Sequence, residues 1–486
     1  MNKPLRRVAI FAGLLVLALL ARVNWLQFVQ GEELSTHKDN RRVAIGRYAI
    51  PRGDIIVGDK SVTGHAETTG SDFKFKRTWK DGPLWAPVTG YASQAFGANQ
   101  LEEINDGILT GTDDRLFFDR TIDMITGEER QGGDVVTTIN ADAQRAAYNG
   151  LKGKKGAAVA IDPKTGAILA LVSTPSYDPS SFAGNSDKDS EAWTKLNSDK
   201  NKPMLNRALR ETYPPGSTFK VVTAAAALEN GTYDIDQNTH SDPVHYKLPL
   251  TTDSWLPNPI AGKCGNASME VGLQWSCNTV FAKVSDEVGN KAMIEQAEKF
   301  GFNEEQFVPI RSAESVYPEM DRPQNALGGI GQSSVRATPL QMAMVAAAVA
   351  NDGKLMKPYL VDKLLAPNLD TIERTEPQEL REAVSEETAR KLQQGMETVV
   401  RDGTGAPVQL TNATVGGKTG TAQHGDKNEA LPYAWMITYA KGENGKDVAV
   451  AVVVEDGSAD REQISGSGIA GPIAKSVMQA IVGKGA

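Results

Sequence analysis

The sequence is short of the residues that build metal and nucleic-acid sites. It has two cysteines and five histidines in 486 residues. The histidines His37, His65, His240, His245 and His424 are scattered, and none stands at ligand spacing from the cysteines. No metal is therefore expected, and no cofactor motif is read. Positive charge is not in excess: 52 Lys and Arg against 60 Asp and Glu give a formal net charge of -8. A nucleic-acid binder would carry a basic field, so that class is disfavoured. Aromatics at 6% leave little material for base stacking. No internal repeat or long low-complexity tract appears, and long apolar runs are missing beyond the first thirty residues.

The N-terminus supplies the one such run. Lys3, Arg6 and Arg7 precede an apolar stretch over residues 8–21. Arg22 and Asn24 interrupt it, and Trp25, Leu26, Phe28 and Val29 extend it. A cleaved signal peptide and an uncleaved signal anchor both fit. The anchor is favoured, because counting through Val29 reaches membrane-spanning length, with Trp25 at the interface and Arg22 snorkelling. The cationic start then stays in the cytoplasm and the rest of the chain is exported, single-pass, at the cell membrane. In an exported chain Cys264 and Cys277 can persist as a disulfide; two free thiols are the alternative.

The expected organisation has three parts. Residues 1–30 form the cytoplasmic stub and anchor. Residues 31–135 form a small, β-rich, membrane-proximal domain, with strand-like runs at 43–45, 54–57 and 134–139. Residues 136–486 form the main domain, with its core from about 155. Asn140 caps a helix over 141–151. Gly156-Ala-Ala-Val-Ala-Ile161 and Ala167-Ile-Leu-Ala-Leu-Val172 flank a Pro/Gly turn and read as a β-hairpin. Helices are predicted over 218–229, 268–287, 291–300, 339–351 and 385–400. Strands return at 415–421, 434–439 and 448–454, and a last apolar helix covers 469–482. Strands at both ends with helices between them indicate an α+β fold: an antiparallel sheet flanked by helices, with a helical subdomain.

Three Ser-x-x-Lys matches occur, Ser35/Lys38, Ser71/Lys74 and Ser217/Lys220, so the motif alone decides nothing. Context singles out Tyr213-Pro-Pro-Gly-Ser-Thr-Phe-Lys220, which leads into the apolar run Val221-Val-Thr-Ala-Ala-Ala-Ala-Leu228. Ser217 then sits at a helix N-terminus with Lys220 on the same face. A serine becomes a nucleophile when a neighbouring base takes its proton. A lysine can be that base once burial or a nearby cation lowers its pKa. The bland alternative is an N-cap serine and a solvated lysine. Ser276-Cys277-Asn278 is a second polar cluster in apolar surroundings. It suits proton relay and positioning of Lys220, or a purely structural role. Lys164-Thr-Gly166 reads as a turn. Lys418-Thr-Gly-Thr421 reads as a strand whose small residues let a substrate backbone approach, with Lys418 offering charge to a carboxylate. Backbone N–H groups of Ser217 and Thr421 suit an oxyanion hole. Gly466-x-Gly468-x-x-Gly471 matches a dinucleotide fingerprint but precedes no βαβ unit, so close helix packing is the better reading.

The order Ser-x-x-Lys, Ser-x-Asn, Lys-Thr-Gly-Thr is the signature of the penicillin-recognising serine enzymes. From about 156 to 474 the chain resembles the class B penicillin-binding proteins. Gly328-Gly-Ile-Gly-Gln332 and Ala337-Thr-Pro-Leu-Gln-Met-Ala343 are among the stretches that carry the likeness. Arg52-Gly53-Asp54-Ile55 keeps only part of the membrane-proximal family segment, and the compact layout is similar to an actinobacterial type. The resemblance implies a penicillin-binding transpeptidase fold behind a dimerisation- or pedestal-like domain. It implies a D,D-transpeptidase that cross-links peptidoglycan stem peptides, releases D-alanine and is acylated by β-lactams. Ser217 would be the nucleophile and Lys220 the base, with Ser276 and Asn278 serving proton transfer and positioning. Lys418, Thr419, Gly420 and Thr421 would bind the donor. A membrane-embedded glycan polymerase and other cell-wall or division proteins are the implied partners. A D,D-carboxypeptidase is the nearest rival, followed by a β-lactamase, to which no water-activating glutamate is assigned by motif, and a β-lactam sensor.

Overall fold

The computed structural model describes residues 3–36, 41–69, 71–117, 131–260, 262–423, 430–456 and 465–483. The N-terminal helix Lys3–Phe28 has none of its residues buried and is long and apolar enough to cross a membrane. Its 26 residues rise about 39 Å, more than the roughly 30 Å of a hydrocarbon core. Arg22 and Asn24 do not end it; the Asn24 amide donates to the Leu20 carbonyl at 2.9 Å, within the helix.

The region that follows this helix mixes short strands with short helices. Strands Ile55–Val57, Lys60–Ser61, Thr63–Glu67 and Phe75–Trp79 are followed by helices Gly82–Thr89, Gln100–Ile104 and Asp106–Leu109. The strand expected at 43–45 is instead part of a helix, Arg41–Arg47. A three-residue apolar run carries no period that separates the two states. Ile55–Val57 pairs in parallel with Asp134–Thr137, which pairs antiparallel with Val361–Leu365. This sheet therefore joins the first part of the chain to the second across residue 135. Beneath it, Arg52 donates to Glu102 at 3.0 Å and to Asp106 at 2.6 Å, and Arg77 donates to the other Glu102 oxygen at 2.6 Å. Both guanidinium groups and Glu102 are out of solvent.

In the main domain, helix α1 (Ala141–Leu151) starts where Asn140 accepts from the Asp142 and Ala143 N–H groups. Strands β1 (Lys155–Ile161) and β2 (Ile168–Thr174) form the expected hairpin. Helix α2 (Lys220–Glu229) follows a 3-10 turn, Gly216–Phe219. The helix expected over 268–287 is broken into Met269–Gln274 and α3 (Asn278–Val288). Ser276 lies between them at φ 60°. A left-handed conformation cannot continue a right-handed helix, so the chain turns there. Helices α4 (Pro339–Ala350) and α5 (Glu386–Asp402) precede strands β3 (Ala413–Ala422), β4 (Tyr433–Gly442) and β5 (Asp447–Asp456), and α6 (Gly471–Val482) closes the fold.

The strands order as β3-β4-β5-β1-β2, all antiparallel, with β3 on one edge. Alternation sends β5 side chains to two cores. Val450, Val452 and Val454 pack with Ala143, Ala147, Val477 and Ile481 of α1 and α6. Ala449, Ala451 and Val453 belong to the larger core with α2, α3 and α4. All twelve residues of α4 are buried, which explains why the segment has no polar face. Each fully buried Val, Leu or Ile in these layers contributes about 1.5–3 kcal/mol.

The arginine pair around Glu102 yields a stability prediction. Glu102→Ala leaves two buried guanidinium groups without their shared partner and should destabilise the chain by about 3–5 kcal/mol. Glu373→Ala breaks an exposed pair with Arg115 and should cost less than about 1 kcal/mol. Thermal melts of the detergent-solubilised full chain check both; equal losses would contradict the assignment of the buried pair.

Candidate active site

The segment carrying Ser217 is held by Ala337, Trp435, Gly331 and Glu455. Tyr213 and Ala337 exchange backbone hydrogen bonds of 2.9 and 2.8 Å, the Trp435 indole donates to the Pro214 carbonyl at 3.1 Å, and the Gly216 N–H donates to the Gly331 carbonyl at 2.9 Å. Gly216 has φ 55° and Gly331 φ 71°. A Cβ on Gly331 would lie 2.1 Å from the Gly216 carbonyl oxygen, so this contact needs glycine. Tyr213 also donates to Glu455 at 2.7 Å, and Arg207 donates to the same oxygen at 2.9 Å. Burial pushes the Glu455 carboxyl up; the hydrogen bonds from Lys155 and Tyr213 and the Arg207 charge hold it below its ordinary value. Ser217 itself is half-buried and faces the cavity. Among the described residues its hydroxyl has no hydrogen-bond partner.

Lys220 begins α2 and its side chain is 0% exposed. Its amine donates to the Ser276 carbonyl at 2.7 Å and to Asn278 Oδ1 at 2.8 Å, and Ser276 Oγ is 3.3 Å away. The left-handed turn at Ser276 presents both its carbonyl and its hydroxyl to the lysine. Asn278 is fixed from behind by donating from Nδ2 to the Pro257 carbonyl at 2.8 Å. Two firm acceptors match the two N–H bonds of a neutral amine and leave its lone pair free. The hydroxyl, which donates or accepts, suits either protonation state. Burial, and then the charge of Lys418, push the Lys220 amine well below the ordinary lysine range. Lys418, also 0% exposed, is lowered by burial to about 7.

Lys418, Thr419, Gly420 and Thr421 lie on the edge strand β3. An unpaired edge offers its outward N–H and C=O groups to an added strand. A Cβ on Gly420 would meet Thr218 and Trp435 at 3.0 Å, so the strand sits directly against the Ser217 turn. Ser217, Ser276, Asn278, Thr419, Gly420 and Thr421 line one cavity of about 710 Å³. A second cavity, of about 630 Å³ beside Phe307, Tyr359 and Arg374, holds none of the motif residues. Cys277 is disulfide-bonded to Cys264, with Cα atoms 5.6 Å apart, next to the two polar residues that touch Lys220.

The other motif matches stand apart. Ser71 accepts from Phe73 and Asn185 in the region before residue 135, and Lys38 is outside the described residues. Lys164 pairs with Asp447 at 2.8 Å at the hairpin turn. Gly466 packs so closely that a Cβ would be 2.1 Å from the Trp435 carbonyl oxygen, in keeping with a packing role for that glycine run. Thr404 and Asn258 line the cavity and were not singled out from sequence. The glycines flanking Thr404 were the available signal for a tight loop there.

A serine one helical turn from a buried lysine, facing a small-residue edge strand, is the arrangement that a serine acyltransferase requires. Residues 156–479 match the penicillin binding protein transpeptidase domain, and residues 52–135 match the penicillin binding protein A dimerisation domain. The chain belongs to the penicillin-binding protein transpeptidase family. It is 39% identical to the peptidoglycan D,D-transpeptidase PbpA of Mycolicibacterium smegmatis over 100% of both chains. It is 38% identical to PbpA of Mycobacterium tuberculosis over 99% of both. Solved structures of penicillin-binding protein A from M. tuberculosis superpose at 38% identity. The ceftriaxone acyl-enzyme complex gives a TM-score of 0.85, covering 90% of this chain and 99% of that one. The penicillin G acyl-enzyme complex gives 0.81, covering 89% and 99%.

The two lysines make separable predictions. A cation beside an amine disfavours its protonation, so removing Lys418 raises the Lys220 pKa. Lys418→Gln should therefore move the acid limb of the β-lactam acylation profile to higher pH. Lys220→Arg should lower acylation at least about 100-fold at every pH, because a guanidinium does not deprotonate. Stopped-flow acylation across pH checks both, and an unmoved limb would contradict the coupling.

Proposed function

We propose that this chain is a peptidoglycan D,D-transpeptidase acylated by β-lactams, with Ser217 as nucleophile and Lys220 as base. The observation that carries the reading is the fully buried Lys220 amine, held by Ser276 and Asn278 one helical turn from Ser217. Ser217 Oγ attacks the carbonyl carbon of the penultimate D-alanine and its proton passes to the Lys220 nitrogen. The oxyanion is received by the Ser217 and Thr421 N–H groups. The proton then moves through Ser276 Oγ to the leaving amine, the C–N bond breaks, and D-alanine departs. An amine of a second stem peptide attacks the acyl ester, its proton returns through the same groups to Ser217 Oγ, and a new peptide bond is left. Lys418, Thr419 and Thr421 bind the donor's terminal carboxylate, while Gly420 and the β3 edge hold its backbone. A β-lactam presents an equivalent carbonyl and carboxylate and stops at the ester.

The N-terminal helix anchors the chain, and Lys3, Arg6 and Arg7 keep its start in the cytoplasm, which places the catalytic domain outside. Residues 1–30 are the stub and anchor, 31–135 the pedestal, and 136–486 the catalytic domain. A membrane-embedded glycan polymerase is the partner that would supply the nascent strands on which this domain acts.

Supplied with nascent peptidoglycan and an active polymerase, the enzyme should produce dimeric, cross-linked muropeptides, separated by mass after glycan digestion. Only trimmed monomers and released D-alanine would mean a carboxypeptidase. Ser217→Ala should abolish penicillin labelling with stability within about 0.5 kcal/mol of the parent, and labelling at Ser35 or Ser71 instead would overturn the site.

A further inference from the structure

Thr404 belongs to none of the three motifs, yet its hydroxyl oxygen lies 2.9 Å from Thr419 Oγ1. Among the described residues neither hydroxyl has another partner. Thr404 is half-buried, lines the 710 Å³ cavity, and sits in the loop between α5 and β3. That loop is fixed to the end of the Met269–Gln274 helix. The Thr404 N–H donates to the Gln274 carbonyl at 3.1 Å, and the Gln274 amide donates to the Asp402 carbonyl at 3.1 Å. A Cβ on Gly403 would be 2.6 Å from the Gln274 oxygen, so the loop is clamped by backbone contact. The Gly405 N–H closes it onto Val399 at 2.9 Å. Gln274 is two residues before Ser276. The Thr404 loop thus joins the segment that holds Lys220 to the strand that carries Lys418.

Two hydroxyls in contact carry two protons and share one between them. The remaining proton points into the cavity from whichever hydroxyl accepts. A Thr419 that gives its proton to an anion has to accept from Thr404, since a hydroxyl has one donor and two acceptor sites. An anion in the cavity selects that arrangement, and a chain of two hydroxyl donors polarises the terminal one.

We propose that Thr404 is a positioning residue for the substrate carboxylate: it donates to Thr419 Oγ1 and so turns the Thr419 proton toward the carboxylate of a stem peptide or β-lactam. This rests on reading Thr419 as part of the carboxylate-binding side of the site. The consequence is specificity for an acid over its uncharged ester, with little effect on the acylation step itself.

The test compares second-order acylation rates for benzylpenicillin and benzylpenicillin methyl ester in the full-length parent, Thr419→Val, Thr404→Val and Thr404→Ser. Losing a hydrogen bond to a charged group corresponds to about tenfold or more. Thr404→Val should slow the free acid about tenfold and leave the ester within about twofold, while Thr404→Ser keeps the parent's acid-to-ester ratio. Equal slowing of acid and ester by Thr404→Val, or no slowing of either, overturns the role of Thr404. A ratio lost in Thr404→Ser overturns it as well, because serine keeps the donor. If Thr419→Val itself leaves the ratio unchanged, the carboxylate reading of Thr419 fails, and the inference with it. A ratio that falls in Thr419→Val but not in Thr404→Val leaves that reading standing and rejects only the inference.

Discussion

The Lys220 amine is fully buried, with the Phe281 ring 5.9 Å away, and among the described residues it is met by three oxygen atoms, all from Ser276 and Asn278. A lysine in water is a cation and no base at neutral pH. Here burial removes the hydration that would hold the charge, and a second buried lysine, Lys418, repels it. The other features of the site follow from keeping that amine in place. The helix break at Ser276 turns a carbonyl and a hydroxyl inward. The Cys264–Cys277 disulfide ties the break to the preceding loop. Gly216 lets the Ser217 turn sit against the β3 edge, because a Cβ there would come within 3.0 Å of Ala422.

Such a site works against stability. Folding Lys418 with a pKa near 7 instead of 10.5 means that the unfolded chain holds a proton that the folded chain has released between those values. Stability therefore rises with pH across that window, and the cost of burial is complete below it. The enclosing layers offset it: α4 is buried on every side, and β5 feeds two separate cores. Trading stability for a perturbed group at the reacting centre is a general property of active sites.

Much of this was legible in the residues. The cap at Asn140, the hairpin of β1 and β2, and the three closing strands each carry a local signal, and the motifs at 217–220, 276–278 and 418–421 meet in one cavity. What the sequence hid was set by tertiary contact. The 268–287 stretch reads as one helix because φ at Ser276 leaves no trace in residue type. The run at 43–45 is too short to show a period. Thr404 enters the site through a loop whose position depends on Gln274, far away in sequence. The sheet that joins Ile55–Val57 to Val361–Leu365 is likewise a long-range pairing that no local pattern reports.

The proposed base role of Lys220 depends on its protonation state. It can be read directly by NMR of the lysine 13Cε and 15Nζ resonances in the full-length protein, with Lys220 assigned by its disappearance in Lys220→Arg. The Lys220 amine should titrate well below the ordinary lysine range. A Lys220 resonance that titrates in the ordinary lysine range would leave a fixed cation beside Ser217 and contradict the proposal that Lys220 is the base.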